Sequence, residues 1–402
     1  MTDAAPRRIV IIGAGQAGGW AAKTLRDEGF TGEITLIGDE AHPPHARPPL
    51  SKAVLAGTAD ALTTHLFKRP LFDGLRIDWR ANASATAIDR ARREVRLADG
   101  DAVPYDRLLM CTGGRARALD VPGAREAGVR TLRTIDDAIA MREELQPGRS
   151  LLVVGGGWIG LEVAATARKL GLHVQVLEAL PRLCARVLPP RVCDVVRALH
   201  ERNGVTIACD TTLSGFERRA DGRIDAVLAD GVRVAGDAVL AGIGLAPNDT
   251  LARASGLACD RGILVDARCA TSDPDIFAAG DVAVMKGGMR LESWQNAQDQ
   301  GIAAARAALD LPVCYEPLPK FWSQQYDTMI QMLGMPGAGD DVVFRGDVAS
   351  GRFLVFTLSQ GRVRSGIAFN APRELRAARS LIESQVTVDP ALLADASWDF
   401  AH

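Results

Sequence analysis

The 402-residue chain is first limited by what it does not contain. It has no close cysteine pair: its seven Cys, at positions 111, 184, 193, 209, 259, 269 and 314, lie far apart in sequence. That excludes a CxxC redox motif and a metal knuckle built from sequence neighbours, and no metal site is expected. An odd, scattered set of thiols suits a reducing cytoplasm. The chain also has no excess of charge. With 47 basic and 49 acidic residues and a formal net charge of -2, it lacks the electrostatic footprint of a nucleic-acid or membrane-surface binder. Long apolar runs are missing too. The first one starts at residue 9 and meets Gly13, too short for a signal core or a bilayer span, so a cytoplasmic protein is expected. Short-period repeats and low-complexity segments are absent.

What is present is a rhythm of short aliphatic runs bounded by Gly or Asp, at 9–12, 34–37, 107–111, 151–154, 173–177 and 237–241. Such runs read as buried parallel strands, with helices at 16–28 and 158–170 between them. The fold class is α/β with Rossmann-like parallel sheets, and the length asks for two or three domains. Alternating stretches at 94–105 and 224–237 carry Asp-Gly turns and predict antiparallel hairpins over those sheets. After about residue 318 the texture changes to an antiparallel sheet with one covering helix at 372–383, a smaller α+β domain.

The strongest signal is a duplication. Residues 9–39 and 151–178 each run strand, glycine turn, helix and strand, with Gly13, Gly15 and Gly18 in the first and Gly155, Gly157 and Gly160 in the second. The first glycine of such a set permits the turn, the second admits a pyrophosphate, and the third lets helix and strand pack closely. The helix N-terminus then offers free N–H groups and a positive dipole to the phosphates. Two dinucleotides are therefore expected. Glu178, directly after the strand "HVQVL", suits ribose hydroxyls and repels a 2′-phosphate, which favours NADH over NADPH; Arg182 nearby leaves NADPH open. In the first block the aligned position is Gly38, and the nearest acids are Asp39 and Glu40.

Five ordered motifs carry a family resemblance: "GDEAHPPHARPPLSK" (38–52), "CTGG" (111–114), "GGGWIGLE" (155–162), "TSDPDIFAAGD" (271–281) and "FWSQQYD" (321–327). The chain resembles FAD-dependent, NADH-using ferredoxin reductases, above all the reductase components of biphenyl-type aromatic-ring dioxygenases, with putidaredoxin and rubredoxin reductases as cousins. The resemblance runs nearly end to end. It implies an FAD domain at 1–113 and 243–318, an inserted NADH domain at 114–242 and a C-terminal interface domain at 319–402.

By resemblance, Asp39 takes the adenosine ribose of FAD, Arg47 its pyrophosphate side, and Lys52 lies beside flavin N5 paired with Glu162. The residues alone agree in part, because Arg47-Pro48-Pro49 reads as a rigid extended segment that aims a cation at phosphate. Lys52 alone would read as a surface lysine, and Glu162 as a first-turn acid matched to its helix dipole. Thr112 and Gly113 close the strand "LLMC", where Cys111 replaces the usual Ala, and Arg117 matches an FAD-contacting arginine although Arg115 is close enough to compete. Gly280 and Asp281 fit the ribityl and pyrophosphate end, with a helix expected to begin at Asp281; an ordinary N-cap is the plainer reading. Trp294 and Trp322 match flavin-walling positions, though either suits a core. On the NADH side Ile159 and Gly244 join the glycine turn. His45 stands where many relatives have Tyr, and Gln324 where many have Asp, a difference that bears on flavin environment or partner preference.

The resemblance implies hydride transfer from NADH C4 to flavin N5, then two single-electron transfers to a [2Fe–2S] ferredoxin, a Rieske type in dioxygenase systems or an all-cysteine type in monooxygenase systems. Transient docking by basic residues such as Arg345, Arg362 and Arg373, and a monomer or homodimer, are expected. Two rivals remain. A disulfide reductase or NADH oxidase would need a redox Cys beyond the first helix, and residues 30–60 have none. A flavoprotein whose reduction drives association, like apoptosis-inducing factor, would carry long insertions.

Overall fold

The computed structural model describes residues 6–399; residues 1–5 and 400–402, which the leader and domain-end readings included, lie outside them. The chain forms two compact units. One takes Met1–Pro49, Asp60–Arg115 and Leu245–Pro317, the other Leu50–Ala59, Ala116–Gly244 and Leu318–His402.

In the first unit Arg8–Ile12 sits third in a parallel sheet, between Glu33–Ile37 on one side and Arg107–Met110 on the other, with Asp78–Arg80 and Ile276–Ala278 at the edges. The strand has neighbours from both chain directions, so its carboxyl end is the topological switch point where ligands bind in such sheets. Its side chains alternate by the two-residue period of a strand. Ile9 and Ile11 join the core under the helices Gln16–Asp27 and Trp294–Ala308. Val10 and Ile12 join the opposite core with Leu108, Met110, Val95 and Leu97. The hairpin expected at 94–105 is present as Glu94–Leu97 paired with Ala102–Pro104, and Ala85–Asp89 adds a third strand.

The second unit repeats the parallel motif as Val205–Ala208, His173–Leu177, Ser150–Val154 and Ala238–Ala241. The hairpin expected at 224–237 is likewise one edge of a three-stranded sheet, Leu213–Arg218, Ile224–Leu228 and Arg233–Gly236. Residues beyond 318 form a five-stranded antiparallel sheet ordered Lys320–Gln325, Thr328–Gly334, Arg362–Phe369, Phe353–Ser359 and Asp341–Arg345. The single helix expected over it is two, Pro372–Ala377 and Arg379–Ser384. The bend at Ala378 (φ -68°, ψ -9°) lets Leu375 and Ile382 both bury in the same core.

Arg345 is not free to meet a partner. Its guanidinium donates to the carbonyls of Leu393, Asp395, Ala396 and Trp398 and so fastens the carboxyl-terminal segment to the sheet. Arg362 and Arg373 stay exposed.

Candidate functional site

Both glycine turns are built to the same steric rule. Gly13 has φ +106° and Gly155 φ +103°, a region that L side chains avoid, and a Cβ on either would strike backbone just past a neighbouring strand, at Cys111 and Gly242. The third glycines hold helix against turn: a Cβ on Gly18 would lie 1.9 Å from the Gly13 carbonyl oxygen, and one on Gly160 2.2 Å from that of Gly155. The middle glycines, by contrast, face open space. Gly15 has only an Arg47 nitrogen, at 4.0 Å, near its would-be Cβ, and Gly157 only the Gly242 oxygen at 3.8 Å. These glycines are the N-caps of Gln16–Asp27 and Trp158–Lys169, and neither helix has a side-chain cap or a first-turn acid. Uncapped N–H groups beside a backbone stripped of side chains fit a pyrophosphate.

Around the first turn the acid has moved. A side chain at Gly38 would fall 2.7 Å from Ala14 and Trp79, so the position aligned with Glu178 cannot carry a carboxylate. Asp39 points to solvent. Glu40 instead binds Arg47 at 2.7 Å, and its other oxygen is buried without a hydrogen-bond partner, an acceptor that ribose hydroxyls would satisfy. Gly38 has no room for a side chain, and of the two acids that follow it Glu40 is the one turned to Arg47. His45, 1% exposed, lies 3.7 Å from that oxygen, and burial, then the Arg47 charge, pull its pKa down to about 4. Pro48–Ser51 winds into a 3-10 turn rather than running extended, as the fixed proline φ allows.

Thr112 and Asn248 bond reciprocally through side chains and backbone carbonyls, which closes the end of the strand Arg107–Met110. Gly280 (φ +81°) donates its N–H to Gln300 at 2.9 Å. Asp281 does not begin a helix: a turn leads from it into the short strand Ala283–Val284, as suits the β-branched Val282 and Val284. The helix begins at Trp294, with Ser293 as its cap. Trp294 is half-buried at that N-terminus, and Arg115 reaches Asn248 at 3.2 Å.

Around the second turn, Glu178 accepts from the Gly156 N–H at 2.5 Å and the Leu180 N–H at 2.8 Å, so its carboxylate is aimed by backbone. Gly244 (φ +108°) accepts the Arg117 N–H at 2.9 Å. Ile159 is 45% exposed in the first helical turn, an apolar side chain left uncovered at the mouth of the turn. Arg182 is exposed.

Glu162 is the fifth residue of its helix and is only 4% exposed, so it is not the first-turn dipole acid that position alone suggested. Lys52 meets its Oε2 at 2.5 Å and lies 5.2 Å from the Trp322 ring centroid. Burial lowers the Lys52 pKa, and the Glu162 carboxylate opposes that shift. Ser51 donates to Glu162 Oε2 at 2.5 Å and Ser323 to Oε1 at 2.7 Å. Gln324 is exposed, on the strand face opposite Ser323. Among the described residues no two thiols are bonded to each other, and burial pushes Cys111 and Cys269 up to about 12. Among the described residues no cluster of ligands could hold a metal, and no helix is long and apolar enough to cross a membrane.

The chain matches the family of pyridine nucleotide-disulphide oxidoreductases over residues 7–301 and the reductase C-terminal family over residues 320–402. It is 43% identical over 393 residues to the biphenyl dioxygenase system ferredoxin–NAD(+) reductase component of Paraburkholderia xenovorans, covering 96% of each chain. It is 41% identical to the benzene 1,2-dioxygenase system ferredoxin–NAD(+) reductase subunit of Pseudomonas putida, covering 97% of this chain and 95% of that one. The crystal structure of the covalent putidaredoxin reductase–putidaredoxin complex is similar with a TM-score of 0.94 at 39% identity, covering 99% of this chain and 98% of the other.

Proposed function

We propose a function from one premise: this chain belongs to the pyridine nucleotide-disulphide oxidoreductase family and ends in a reductase C-terminal domain. It is an FAD-dependent, NADH-using ferredoxin reductase. FAD supplies what no side chain can, acceptance of electrons as a pair from a nicotinamide and their release one at a time to an iron–sulfur acceptor. The duplicated glycine clamp carries the reading, since it provides two dinucleotide sites in a chain whose thiols are ill placed and ill tuned for disulfide chemistry.

Each residue has a part in that scheme. Gly13, Gly15, Gly18 and Arg47 hold the FAD phosphates, with Glu40 rather than Asp39 taking the adenosine ribose. Thr112, Gly113, Gly280 and Asp281 hold the remainder of the chain-like part of the cofactor, Trp294 and Trp322 exclude water from its rings, and Arg117 adds positive charge. Gly155, Gly157, Gly160, Ile159 and Gly244 receive NADH, and Glu178 reads its ribose. Glu162 holds Lys52, which would offer positive charge to the ring system, and Glu162 would orient the carboxamide. The division into an FAD domain at 1–113 and 243–318, an NADH domain at 114–242 and an interface domain from 319 belongs to the same proposal, as does a cytoplasmic location.

NADH-driven electron transfer to purified ferredoxins, compared with turnover on oxygen alone, tests the function. Turnover that depends on added [2Fe–2S] ferredoxin is expected; equal rates with and without it would show an oxidase. A Rieske-type ferredoxin should outpace an all-cysteine one, in line with the dioxygenase-system relatives at 41–43% identity.

Glu178 sets coenzyme choice by repelling a 2′-phosphate. Glu178→Gln is expected to narrow the NADH over NADPH preference in kcat/KM by about tenfold, mostly through a lower KM for NADPH. An unchanged ratio would move the selectivity elsewhere.

A further inference from the structure

The strand Lys320–Gln325 and the helix Trp158–Lys169 run in step. Two strand residues advance ~6.6 Å and four helical residues ~6 Å, so alternate strand side chains meet successive turns of one helix face. Phe321 lies against Trp158 with ring centroids 4.9 Å apart, Ser323 bonds Glu162, and the Tyr326 ring packs with Ala165 and Leu199. Lys169 Nζ then donates to the Tyr326 carbonyl at 2.7 Å. Behind Ser323 the contacts continue away from Lys52: Gln325 Nε2 to Ser323 Oγ at 3.1 Å, His200 Nε2 to Gln325 Oε1 at 2.8 Å, and the Tyr326 hydroxyl to His200 Nδ1 at 3.2 Å. Ser323 and Gln325 are both 0% exposed, as is His200.

Only one assignment of protons satisfies this chain. The Glu162 carboxylate can only accept, so Ser323 spends its single proton on it and must accept from Gln325. Gln325 therefore turns its amide N–H₂ to Ser323 and its oxygen to His200. His200 must carry its proton on Nε2, which leaves Nδ1 bare to accept from Tyr326. Gln325 in the middle neither gains nor loses a proton readily, so the chain passes on orientation and not protons. At its far end Tyr326 holds φ +56° in a two-residue turn, a left-handed conformation that bulky residues avoid. Neutral imidazole is required throughout, and burial, with the Gln325 bond opposing it, lowers the His200 pKa to about 4.

We propose that His200 and Tyr326 are positioning residues for the Lys52–Glu162 pair, acting through Gln325 and Ser323 along hydrogen bonds of a single polarity. The carboxylate of Glu162 is thereby held in one rotamer with Oε2 facing Lys52, by residues distant from it in sequence. The inference rests on the reading of Lys52 and Glu162 as the pair that serves hydride transfer.

The test uses the flavin-loaded protein and four variants, His200→Phe, Ser323→Ala, Ser323→Thr and the double His200→Phe/Ser323→Ala. His200→Phe should lower the limiting rate of anaerobic flavin reduction by NADH about 3- to 10-fold, while the apparent Kd for NADH moves less than about twofold. Ser323→Ala should slow it at least as much, Ser323→Thr should restore it, and the double variant should be no slower than Ser323→Ala alone. A second readout needs no turnover: the pH dependence of Lys52 acylation, followed by mass spectrometry, should shift in His200→Phe and not in Ser323→Thr. Multiplicative rate losses, or wild-type rates and Lys52 reactivity in a less stable His200→Phe, would overturn the proposal. If NADH fails to bleach the wild-type flavin, the functional reading falls, and the Lys52 reactivities still decide on the chain of bonds.

Discussion

A Gly18→Ala protein should leave purification without flavin, pale where the wild type is yellow, with its second unit still folded. The added methyl would sit 1.9 Å from the Gly13 carbonyl oxygen and 3.3 Å from the Ile11 side chain, and neither can retreat because both belong to the turn and strand that define the site. Helix Gln16–Asp27 must move off its strand, which takes the N–H groups away from the phosphates. Gly74→Ala is the control in the same unit, since nothing lies within 4 Å of its would-be Cβ. The twin substitution Gly160→Ala, with its clash at 2.2 Å, should do the opposite. It should keep the yellow colour and lose bleaching by NADH, while dithionite still reduces the flavin. Colour loss in Gly160→Ala together with colour retention in Gly18→Ala would exchange the two coenzyme assignments.

Lys52→Met should slow flavin reduction at saturating NADH by about a hundredfold, the scale of losing one preorganised charge at a reacting centre. Part of the damage would be structural. Glu162, with its side chain only 5% exposed, would keep its two serine donors and lose its counter-charge, a loss of about 3 kcal/mol in stability. The double variant Lys52→Met/Glu162→Gln separates the two effects, because it removes the orphaned charge and should recover melting temperature without recovering rate. The pH profile gives the same test from another side. Burial lowers the Lys52 pKa, so the protonated form is lost on the alkaline side sooner than for an ordinary lysine. The limiting rate should fall as pH rises through that point, and Lys52→Met should lack that limb. Stopped-flow rates equal to wild type at all pH values would remove Lys52 from the reaction.

Local periodicity made the strands and both glycine turns readable, because a buried strand or a tight turn declares itself within a few residues. Ile9 to Ile12 and Leu151 to Val154 are buried on both faces, as continuous aliphatic runs require. Other features depend on partners far along the chain. The bonds that fix Glu162 join residues 111 and 161 positions apart, and His200 meets Gln325 across 125. No window on the sequence joins them. What separates Glu40 from Asp39 is hidden for a related reason, since the crowding at Gly38 comes from Ala14 and Trp79. No helix follows Asp281 because Val282 lies in a turn and Ala283–Val284 runs as a strand paired to Ile263 and Leu264. Arg345 reads from its neighbours as an exposed cation, but four carbonyls nearly fifty or more positions along the chain claim it.

The polypeptide passes from one unit to the other at residues 49/50, 59/60, 115/116, 244/245 and 317/318. On the ribosome this ordering imposes a delay. The edge strand Ile276–Ala278 and the closing helix Trp294–Ala308 of the first unit are synthesised only after the whole nucleotide fold of the second. A nascent first unit therefore waits with an open sheet edge through the 165 residues between Met110 and Ile276, a state prone to faulty pairing until its last pieces arrive.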